Sequence, residues 1–505
     1  MHRVFLRRCT EYDPQAIRTI VRETMEALDL RPKGRILLKP NLVIVQKRAF
    51  VNAHTRAEFT DGVLAAVRDR MVPEEVTELA VGERCGITMP TRMVWNQADY
   101  GAVLKRHKAK RYLFDECTQV EIPLTHPDRL RDSVFTPEPV ARADFFINLP
   151  KFKAHPWTTV TFSLKNYIGI QDDRHRLIDH DWALNQKIAD LQEIVQPQLV
   201  AIDAISAGQG RMLTPIPFDM NLVILGDNQV AVDSVCSRII GLDPAEIQHI
   251  ALCAERGLGS LNLEDISIEG DVTLAEAQQQ AAGFQVGLKR IETYLDGSKI
   301  KGYSGPPPAE EKTDYCWGGC PGALQESIEI LRQIDTNYDE KLKPMHVVFG
   351  AYEGPLNVQP GEKVIFMGDC ACWKGKIGDE EIDVQSLYLD PRKHKDPYHT
   401  KMTDIFVKML VVLRNIFRRR KSQVVRVGGC PVSVAEQTLY VAQLGGVKNP
   451  YIQPSLARPF VASWIAWRFN QFTRWVRGAP YQRALGPDER GEAAGNWVEA
   501  GPSDQ

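Results

Sequence analysis

Segments with strand-like and helix-like patterns alternate along the first half of this 505-residue chain. The run VFLRRC precedes the helical run PQAIRTIVRETMEALDL, and RILLKPNLVIV follows with a core apolar enough for a buried strand. The runs DFFINLP, LVAIDAI and NLVILGD are predicted as later strands, with helical stretches between them. Because parallel strands need long and usually helical connections, this order predicts an α/β domain with a mainly parallel sheet over residues 1–300.

The second half of the chain predicts another α/β domain with a mainly parallel sheet. Residues 301–312 contain consecutive prolines and a charge cluster, which predict a linker. Residues 313–452 carry the strand-like runs MHVVFGA, EKVIFMG and VVRVGG. Two basic stretches, 404–421 and 453–480, mix large apolar residues with Arg and Lys as amphipathic helices do. Residues 481–505 are rich in Gly, Ala, Asp and Glu and predict a disordered tail.

Composition and charge exclude some classes of function. There are 62 Lys and Arg against 64 Asp and Glu, so a net charge of −2 gives no general attraction to nucleic acid, and we expect no nucleic-acid partner. The N-terminus lacks the apolar core of a signal peptide, and no window has the roughly 18 uninterrupted apolar residues of a membrane span. We therefore expect a cytoplasmic protein. Peripheral contact with the inner face of the membrane, through a basic amphipathic helix, is an alternative.

Cysteines in glycine-rich loops are the strongest functional signal. Cys316 and Cys320 flank a glycine turn before a helical run, Cys370 follows the strand-like run EKVIFMG, and Cys430 follows VVRVGG. A parallel sheet would bring these strand ends together, and four converging thiolates suit a [4Fe–4S] cluster. The alternatives are a structural zinc ion and buried free cysteines. Zinc sites usually pair their cysteines in C-x₂₋₄-C knuckles, whereas Cys370 and Cys430 each lie on a separate loop. This difference favours the cluster. Cys372 could replace Cys370 as a ligand.

This arrangement resembles the cluster domain of nickel–iron hydrogenase small subunits and of the 20-kDa subunit of respiratory complex I. Those families place two cysteines on an early loop, a third in a G-x-C-A loop and a fourth in a G-C-P loop. The matching residues are Cys316 with Cys320, the sequence GDCA at 368–371 and GCP at 429–431, with Glu353 at the family's Glu-Gly step. The resemblance implies an iron–sulfur cluster. Three residues separate Cys316 from Cys320, where the hydrogenase subunits have two and the complex I subunit has none.

The first half carries polar residues near the ends of its predicted strands. Lysine and asparagine at such positions bind phosphate or carboxylate groups, and the expected anion-binding residues are Lys39, Asn41, Lys151, Lys153, His155, Lys165 and Asn166. A group of acids and histidines could exchange protons or hold a divalent metal, and it comprises Asp172, Asp173, His175, Asp179, His180 and Asp203. A solvated charged loop is the alternative for residues 174–181. No catalytic residue can be assigned.

The first half also resembles the family called domain of unknown function 362. The matching segments are LLKPNL at 37–42, NLPKFKAHPWTTVTFSLKN at 148–166, AIDAISAGQG at 201–210 and GDNQVAVDSV at 226–235. Members of the family often occur with iron–sulfur domains, which agrees with the cysteines of the second half. The resemblance implies a fold without an established reaction.

Together these features predict an iron–sulfur protein, an oxidoreductase or electron-transfer component that acts on a small anionic substrate or cofactor. A redox partner protein is a further expectation. Two alternatives remain open: a non-redox metal-dependent enzyme with structural zinc, and a scaffold that carries a cluster. The sequence does not reveal the substrate, the electron donor, the reduction potential or the oligomeric state.

Overall fold

The structure is a computed structural model, and it describes residues 1–45, 52–86, 89–172, 176, 178–287, 289–308, 313–317, 319–388, 422–450, 453–486 and 489–495. The chain divides into two compact units. The first unit comprises Met1–Asp172, Asn185–Gly287 and Phe460–Gln505, and the second comprises Asp173–Leu184 and Leu288–Pro459. The first basic stretch of the sequence, 404–421, lies outside the described residues.

The described strands and helices follow one another in the alternating order that the sequence predicts. The strands are β1 (His2–Arg8), β2 (Gly34–Pro40), β3 (Val76–Glu83), β4 (Lys110–Leu113), β5 (Gln119–Pro123), β6 (Ser133–Pro137), β7 (Phe145–Leu149), β8 (Lys151–His155), β9 (Thr159–Thr161), β10 (Leu199–Gln209), β11 (Ile216–Gly226), β12 (Ile266–Gly270), β13 (Ile300–Ser304), β14 (Met345–Phe349), β15 (Lys363–Met367), β16 (Trp373–Ile377), β17 (Glu380–Val384), β18 (Val424–Val427) and β19 (Gln482–Ala484). The α-helices are α1 (Pro14–Ala27), α2 (Ala57–Arg70), α3 (Thr91–Gln97), α4 (Tyr100–His107), α5 (Glu138–Ala141), α6 (Leu184–Leu191), α7 (Gln229–Ile239), α8 (Gln248–Glu255), α9 (Leu274–Gln280), α10 (Ile291–Tyr294), α11 (Cys320–Ile334), α12 (Tyr338–Lys341), α13 (Val434–Gly445), α14 (Pro454–Val476) and α15 (Glu492–Gly495).

The first unit is built on a large mixed sheet in the order β12-β1-β11-β10-β7-β2-β3-β4. Its central strands β10, β7, β2, β3 and β4 pair in parallel, whereas β11 is antiparallel to both of its neighbours. The register that pairs Lys39 with Asn148 and Pro40 with Leu149 places the carboxyl ends of β2 and β7 side by side. The mainly parallel α/β fold is confirmed, and its strand ends gather the polar residues discussed below.

Helix α1 shows how the local sequence specifies an element of this unit. Pro14 occupies the first turn, where its missing N–H costs nothing, and the Asp13 carboxylate accepts hydrogen bonds from the N–H groups of Gln15 and Ala16. Buried residues at positions 17, 20, 21, 24 and 25 recur at helical spacing and turn one stripe into the core.

The second unit contains a four-stranded sheet in the order β13-β14-β15-β18, and every pairing in it is parallel. Ser304 is paired with Phe349 and Met367 with Val427, so the four strands end at one edge. Strand β13 falls largely within residues 301–312, which the sequence analysis assigns to a linker. This segment is a strand because Ile300 is buried and its backbone pairs with β14.

The C-terminal segment expected to be disordered contains described structure. Strand β19 pairs in parallel with β5, and the N–H groups of Gly491 and Ala493 donate to the carbonyl oxygens of Ala141 and Ala143. Backbone pairing with the first unit therefore orders residues whose composition alone favours disorder. The amphipathic helix predicted over 453–480 is present as α14. Among the described helices, none is both long and apolar enough to cross a membrane.

These contacts predict that the C-terminal segment stabilises the first unit. Truncation after Ala479 removes β19 and the backbone bonds of Gly491 and Ala493, and each lost hydrogen bond costs about 1 kcal/mol. We expect a loss of a few kcal/mol in the free energy of unfolding, measured by urea denaturation. Truncation after Gly495, which removes none of these bonds, is the matched control. Equal stability of the two truncated proteins would contradict the prediction.

Candidate functional site

The four predicted cysteine ligands line one cavity in the second unit. Cys316 and Cys320 come from the loop that leads into α11, Cys370 from the loop after β15, and Cys430 from the loop after β18. The empty space amounts to about 420 Å³, part of it open to solvent. The remaining lining includes the strand ends Ser304, Phe349 and Met367. The carboxyl edge of the parallel sheet thus brings together thiols that are far apart in sequence.

Glycines next to the cysteines leave room for the sulfur atoms. A Cβ atom added at Gly319 would lie 2.7 Å from the Sγ of Cys316. At Gly368, whose φ is +102°, an added Cβ would lie 3.1 Å from the Sγ of Cys320 and 3.7 Å from the Sγ of Cys370. A side chain at either position would enter the space that the thiols face, so the loops need glycine for clearance as well as for backbone conformation.

The cavity disfavours four ionised thiols in the absence of a cation. Burial is the main cause that raises the pKa of Cys320 well above its usual value, and it raises the pKa of Cys370 to about 11. The pKa of Cys430 is also raised, mainly by burial and then by the nearby Asp181 carboxylate. One stabilising contact is present, because the N–H of Val432 donates to the Sγ of Cys320 at 3.2 Å. A positively charged metal group is what would make thiolates favourable here.

Asp181 brings a carboxylate to this set of thiols. It belongs to the segment Asp173–Leu184 of the second unit, is 3% exposed, and lines the cavity with the cysteines. Its Oδ2 lies 3.9 Å from the Sγ of Cys430, and its Oδ1 accepts a hydrogen bond from the N–H of Ala183 at 2.9 Å. A carboxylate at this distance can act on the electrostatics of any group that the cysteines hold.

Cys372, the alternative to Cys370, is not among the described residues that line the cavity. Its backbone N–H donates to the carbonyl oxygen of Gly350 at 3.0 Å, and its carbonyl oxygen accepts from the N–H of Tyr352. Its side chain is half-buried. The lining of the cavity therefore favours Cys370 over Cys372.

The spacing of potential ligands matters for the kind of metal group. Among the described residues, no group of three or more His, Cys, Asp or Glu side chains is positioned to hold a metal ion. Sulfurs around one zinc ion lie only about 3.8 Å apart, because Zn–S bonds of about 2.3 Å point to the corners of a tetrahedron.

The predicted anion-binding residues of the first unit form a buried polar network. Lys39 is fully buried, and its Nζ lies 3.0 Å from the Glu83 carboxylate and 3.1 Å from the Oδ1 of Asn166. The same Oδ1 accepts from Asn41, while the Nδ2 of Asn166 donates to Asn148 at 2.7 Å. The structure thus brings these predicted residues together, but it gives Lys39 an internal counter-charge.

Lys151 lies in a second buried ion pair of the same unit. Its Nζ is 3.0 Å from the Oδ1 of Asp203 and donates to the hydroxyl of Tyr12 at 2.8 Å. Both charged side chains are fully buried, and burial lowers the pKa of Lys151. The other carboxylate oxygen of Asp203 accepts from the N–H of Arg56. Asp203 is therefore engaged with a lysine and is not grouped with the other predicted acids.

Among the remaining predicted anion-binding residues, Lys153 and His155 are buried and have backbone partners, whereas Lys165 is partly exposed. The Nζ of Lys153 donates to the carbonyl oxygens of Ala53 and Met212, at 2.7 and 3.1 Å. The Nδ1 of His155 accepts from two backbone N–H groups of the turn after β8. Lys165 is half-buried.

The acid and histidine group does not form one site in the described residues. Asp172 is fully buried in the first unit, and its N–H donates to the carbonyl oxygen of Phe135. Asp179 and His180 are buried in the second unit. Asp173 and His175 lie outside the described residues. The alternative of a solvated charged loop is wrong for Asp179 and His180, because their side chains are buried, at 4% and 8% exposure.

Sequence reasoning missed the partners of these residues. Glu83 and Tyr12, which contact the buried lysines, lie at the end of β3 and before α1 and carry no motif. Asp181 was visible only as one acid in a charged run. A parallel-sheet prediction could have placed Glu83 beside Lys39, since both lie at strand ends on one edge.

Comparisons with known proteins give one family match and two similar proteins. Residues 36–238 match the family model of a domain of unknown function, DUF362. The thylakoid-associated protein sll1697 of Synechocystis sp. is 24% identical over 268 residues, which cover 50% of this chain and 79% of that protein. The lactate racemase apoprotein from Thermoanaerobacterium thermosaccharolyticum is 11% identical over 69% of each chain, with a TM-score of 0.32. A similarity at that TM-score carries no conclusion.

The family match ends before the cysteine loops. The N-terminal resemblance is therefore confirmed. The likeness of the second unit to hydrogenase small subunits stays a prediction.

The buried pair Lys151–Asp203 generates a test that separates a structural from a ligand-binding role. Lys151→Met leaves the Asp203 carboxylate buried without its counter-charge, and removing one partner of a buried pair costs roughly 3–5 kcal/mol. We expect that loss in urea unfolding. Arg18→Met, at the exposed pair Arg18–Asp69, is the matched control and is expected to cost about 1 kcal/mol or less. Unchanged stability with weakened binding of phosphate or carboxylate ligands would instead assign Lys151 to ligand binding.

Proposed function

We propose that the second unit binds an iron–sulfur cluster through Cys316, Cys320, Cys370 and Cys430, and that the protein is an oxidoreductase or electron-transfer component. The observation that carries this proposal is the common cavity that these four side chains line at the carboxyl edge of a parallel sheet. Three separate loops contribute to it, and structural cysteines buried independently of one another would have no reason to share one cavity. A [4Fe–4S] cluster is the form that four cysteine ligands favour.

The separate loops that carry Cys370 and Cys430 support a cluster over zinc. Zinc sites usually pair their cysteines in C-x₂₋₄-C knuckles, and neither of these two cysteines belongs to such a knuckle with another proposed ligand. The clearance provided by Gly319 and Gly368 leaves space beside the sulfur atoms for a bound group.

When bound, such a cluster supplies one-electron transfer. The chain's own residues would set the conditions for it. Burial of Cys320 keeps water from its side of the site, and the backbone N–H of Val432 stabilises negative charge on the Cys320 sulfur. Asp181 adds negative charge near Cys430, which disfavours the arrival of an electron.

A small anionic ligand for the first unit is a second proposal with less support. Lys39, Lys151 and Lys153 have internal partners, and the half-buried Lys165 is the most solvent-accessible lysine of the set. A redox role also implies a partner protein that donates or accepts electrons. The cluster-carrying scaffold is the competing function, and a cluster that is reduced and reoxidised without turnover of any substrate would favour it.

The state of the cysteines supports a reducing compartment, and we propose the cytoplasm. All ten cysteines are free thiols in the structure. Disulfides form and persist in proteins of oxidising compartments, whereas thiols in the cytoplasm stay reduced and available as metal ligands.

The ligand assignment predicts distinct outcomes for single Cys→Ser variants purified without oxygen. Changing Cys316, Cys320, Cys370 or Cys430 should each remove most of the bound iron, the acid-labile sulfide and the broad visible absorption of a cluster. Cys372→Ser is the matched control, because it lies two residues from Cys370 but does not line the cavity, and it should keep all three. Anaerobically purified protein that contains zinc and no iron would end the proposal.

The position of Asp181 predicts a shift in the reduction potential of the cluster. Asp181→Asn removes a negative charge near the ligand Cys430, so adding an electron becomes easier and the midpoint potential should rise by tens of millivolts. Redox titration of the visible spectrum measures the change. Asp383→Asn alters an exposed carboxylate of the same unit and should leave the potential unchanged, since solvent screens such charges. An unchanged potential in the Asp181→Asn protein, with full cluster content, would show that this carboxylate does not tune the site.

A further inference from the structure

Helix α14 exposes large apolar side chains along one face. Those of Val461, Ile465, Phe469, Phe472, Trp475 and Val476 are between 50% and 74% exposed. Positions 461, 465, 469, 472 and 476 are three or four residues apart, so they form one stripe on the helix. Soluble proteins rarely leave such a continuous apolar stripe uncovered, and one that persists marks an interaction site. We call this stripe the apolar face of α14.

The opposite side of the helix holds it in place through polar contacts within the first unit. The Nε1 of Trp467 donates to the carbonyl oxygen of Asp115 at 3.2 Å, and the Nδ2 of Asn470 donates to the Glu116 carboxylate at 2.5 Å. Arg474 donates to the carbonyl oxygen of Glu116 at 2.6 Å. These bonds fix the rotation of the helix about its axis. The apolar face therefore points outward as a consequence of the fold.

The charged residues of α14 indicate which kind of surface its apolar face would bind. Residues 454–478 contain four arginines, at 458, 468, 474 and 477, and no Asp or Glu. Arg458 and Arg477, near the two ends of the helix, are exposed. Three tryptophans lie in the same segment, and tryptophan favours the boundary between apolar and polar layers. Apolar, aromatic and cationic groups in one exposed helix complement a surface that is apolar below and anionic above.

We propose that the apolar face of α14 docks the protein on an anionic lipid bilayer, with the helix lying in the plane of the interface. The apolar side chains enter the boundary of the acyl chains, while the exposed Arg458 and Arg477 contact lipid phosphates. The helix is not apolar enough to span the membrane, so the attachment is peripheral and reversible. Apolar burial supplies most of the affinity, and the arginines add a part that falls with salt.

Flotation of the full-length protein with lipid vesicles tests the proposal. Vesicles containing phosphatidylglycerol should carry the protein upward, and vesicles of phosphatidylcholine alone should carry much less. The double variant Phe469→Ser/Phe472→Ser should reduce binding by roughly tenfold or more, because two aromatic side chains no longer enter the bilayer. Ile216→Ser, at another exposed apolar residue of the first unit, is the matched control and should bind like the parent.

Two further measurements distinguish binding to a lipid bilayer from binding to a second copy of the protein. Arg477→Gln should weaken binding at low salt and have little effect at high salt, whereas a purely apolar contact would ignore both changes. If the double variant binds vesicles as well as the parent does, the proposal is overturned. It is also overturned if light scattering shows a dimer that the double variant loses while neither protein binds vesicles, because a second copy then covers the face. Cluster content is unaffected in every case, so these results are independent of the proposed redox function.

Discussion

The parallel pairing of β13, β14, β15 and β18 is the constraint on which the candidate site depends. In a parallel sheet every strand ends at the same edge, and the register of this one aligns Ser304 with Phe349 and Met367 with Val427. The loops that leave this edge contain glycine in conformations or spaces that a side chain would not tolerate, such as Gly368. Cysteines from distant parts of the sequence can therefore meet without any unusual connection. A register shift of one residue in β15 or β18 would turn a thiol away from the cavity.

The buried ionisable groups of the two units differ in whether they have a counter-charge within the protein. In the first unit Lys39 faces Glu83 and Lys151 faces Asp203, and each of these two ammonium groups lies 3.0 Å from a carboxylate oxygen. Such pairs offset the cost of desolvation without an outside ion. In the second unit the cavity gathers thiols and a carboxylate, groups that can only become negative, and burial raises the pKa values of Cys320, Cys370 and Cys430. The imbalance favours a cationic group in that cavity, and this electrostatic reasoning is independent of any family resemblance.

The sequence was informative where a residue's role follows from its position in a regular element. Alternating patterns predicted the parallel α/β fold, and the strand-end positions of Cys370 and Cys430 predicted their convergence. It was less informative where tertiary contacts decide. The charges of Lys39 and Lys151 suggested an anion site, because nothing in the local sequence shows that Glu83 and Asp203 fold against them. The ordered segment around β19 was missed for a similar reason, since its order comes from backbone pairing with β5.

The segment Asp173–Leu184 changes how the two halves of the chain should be understood. It lies within the family-matched range 36–238, yet it packs as part of the second unit and carries Asp181 to the cysteine cavity. A fragment that begins at residue 288 would keep the four cysteines but lose the carboxylate beside Cys430. The cavity therefore includes a side chain from within the range that matches the family model, and dividing the chain at residue 288 would separate this carboxylate from the thiols.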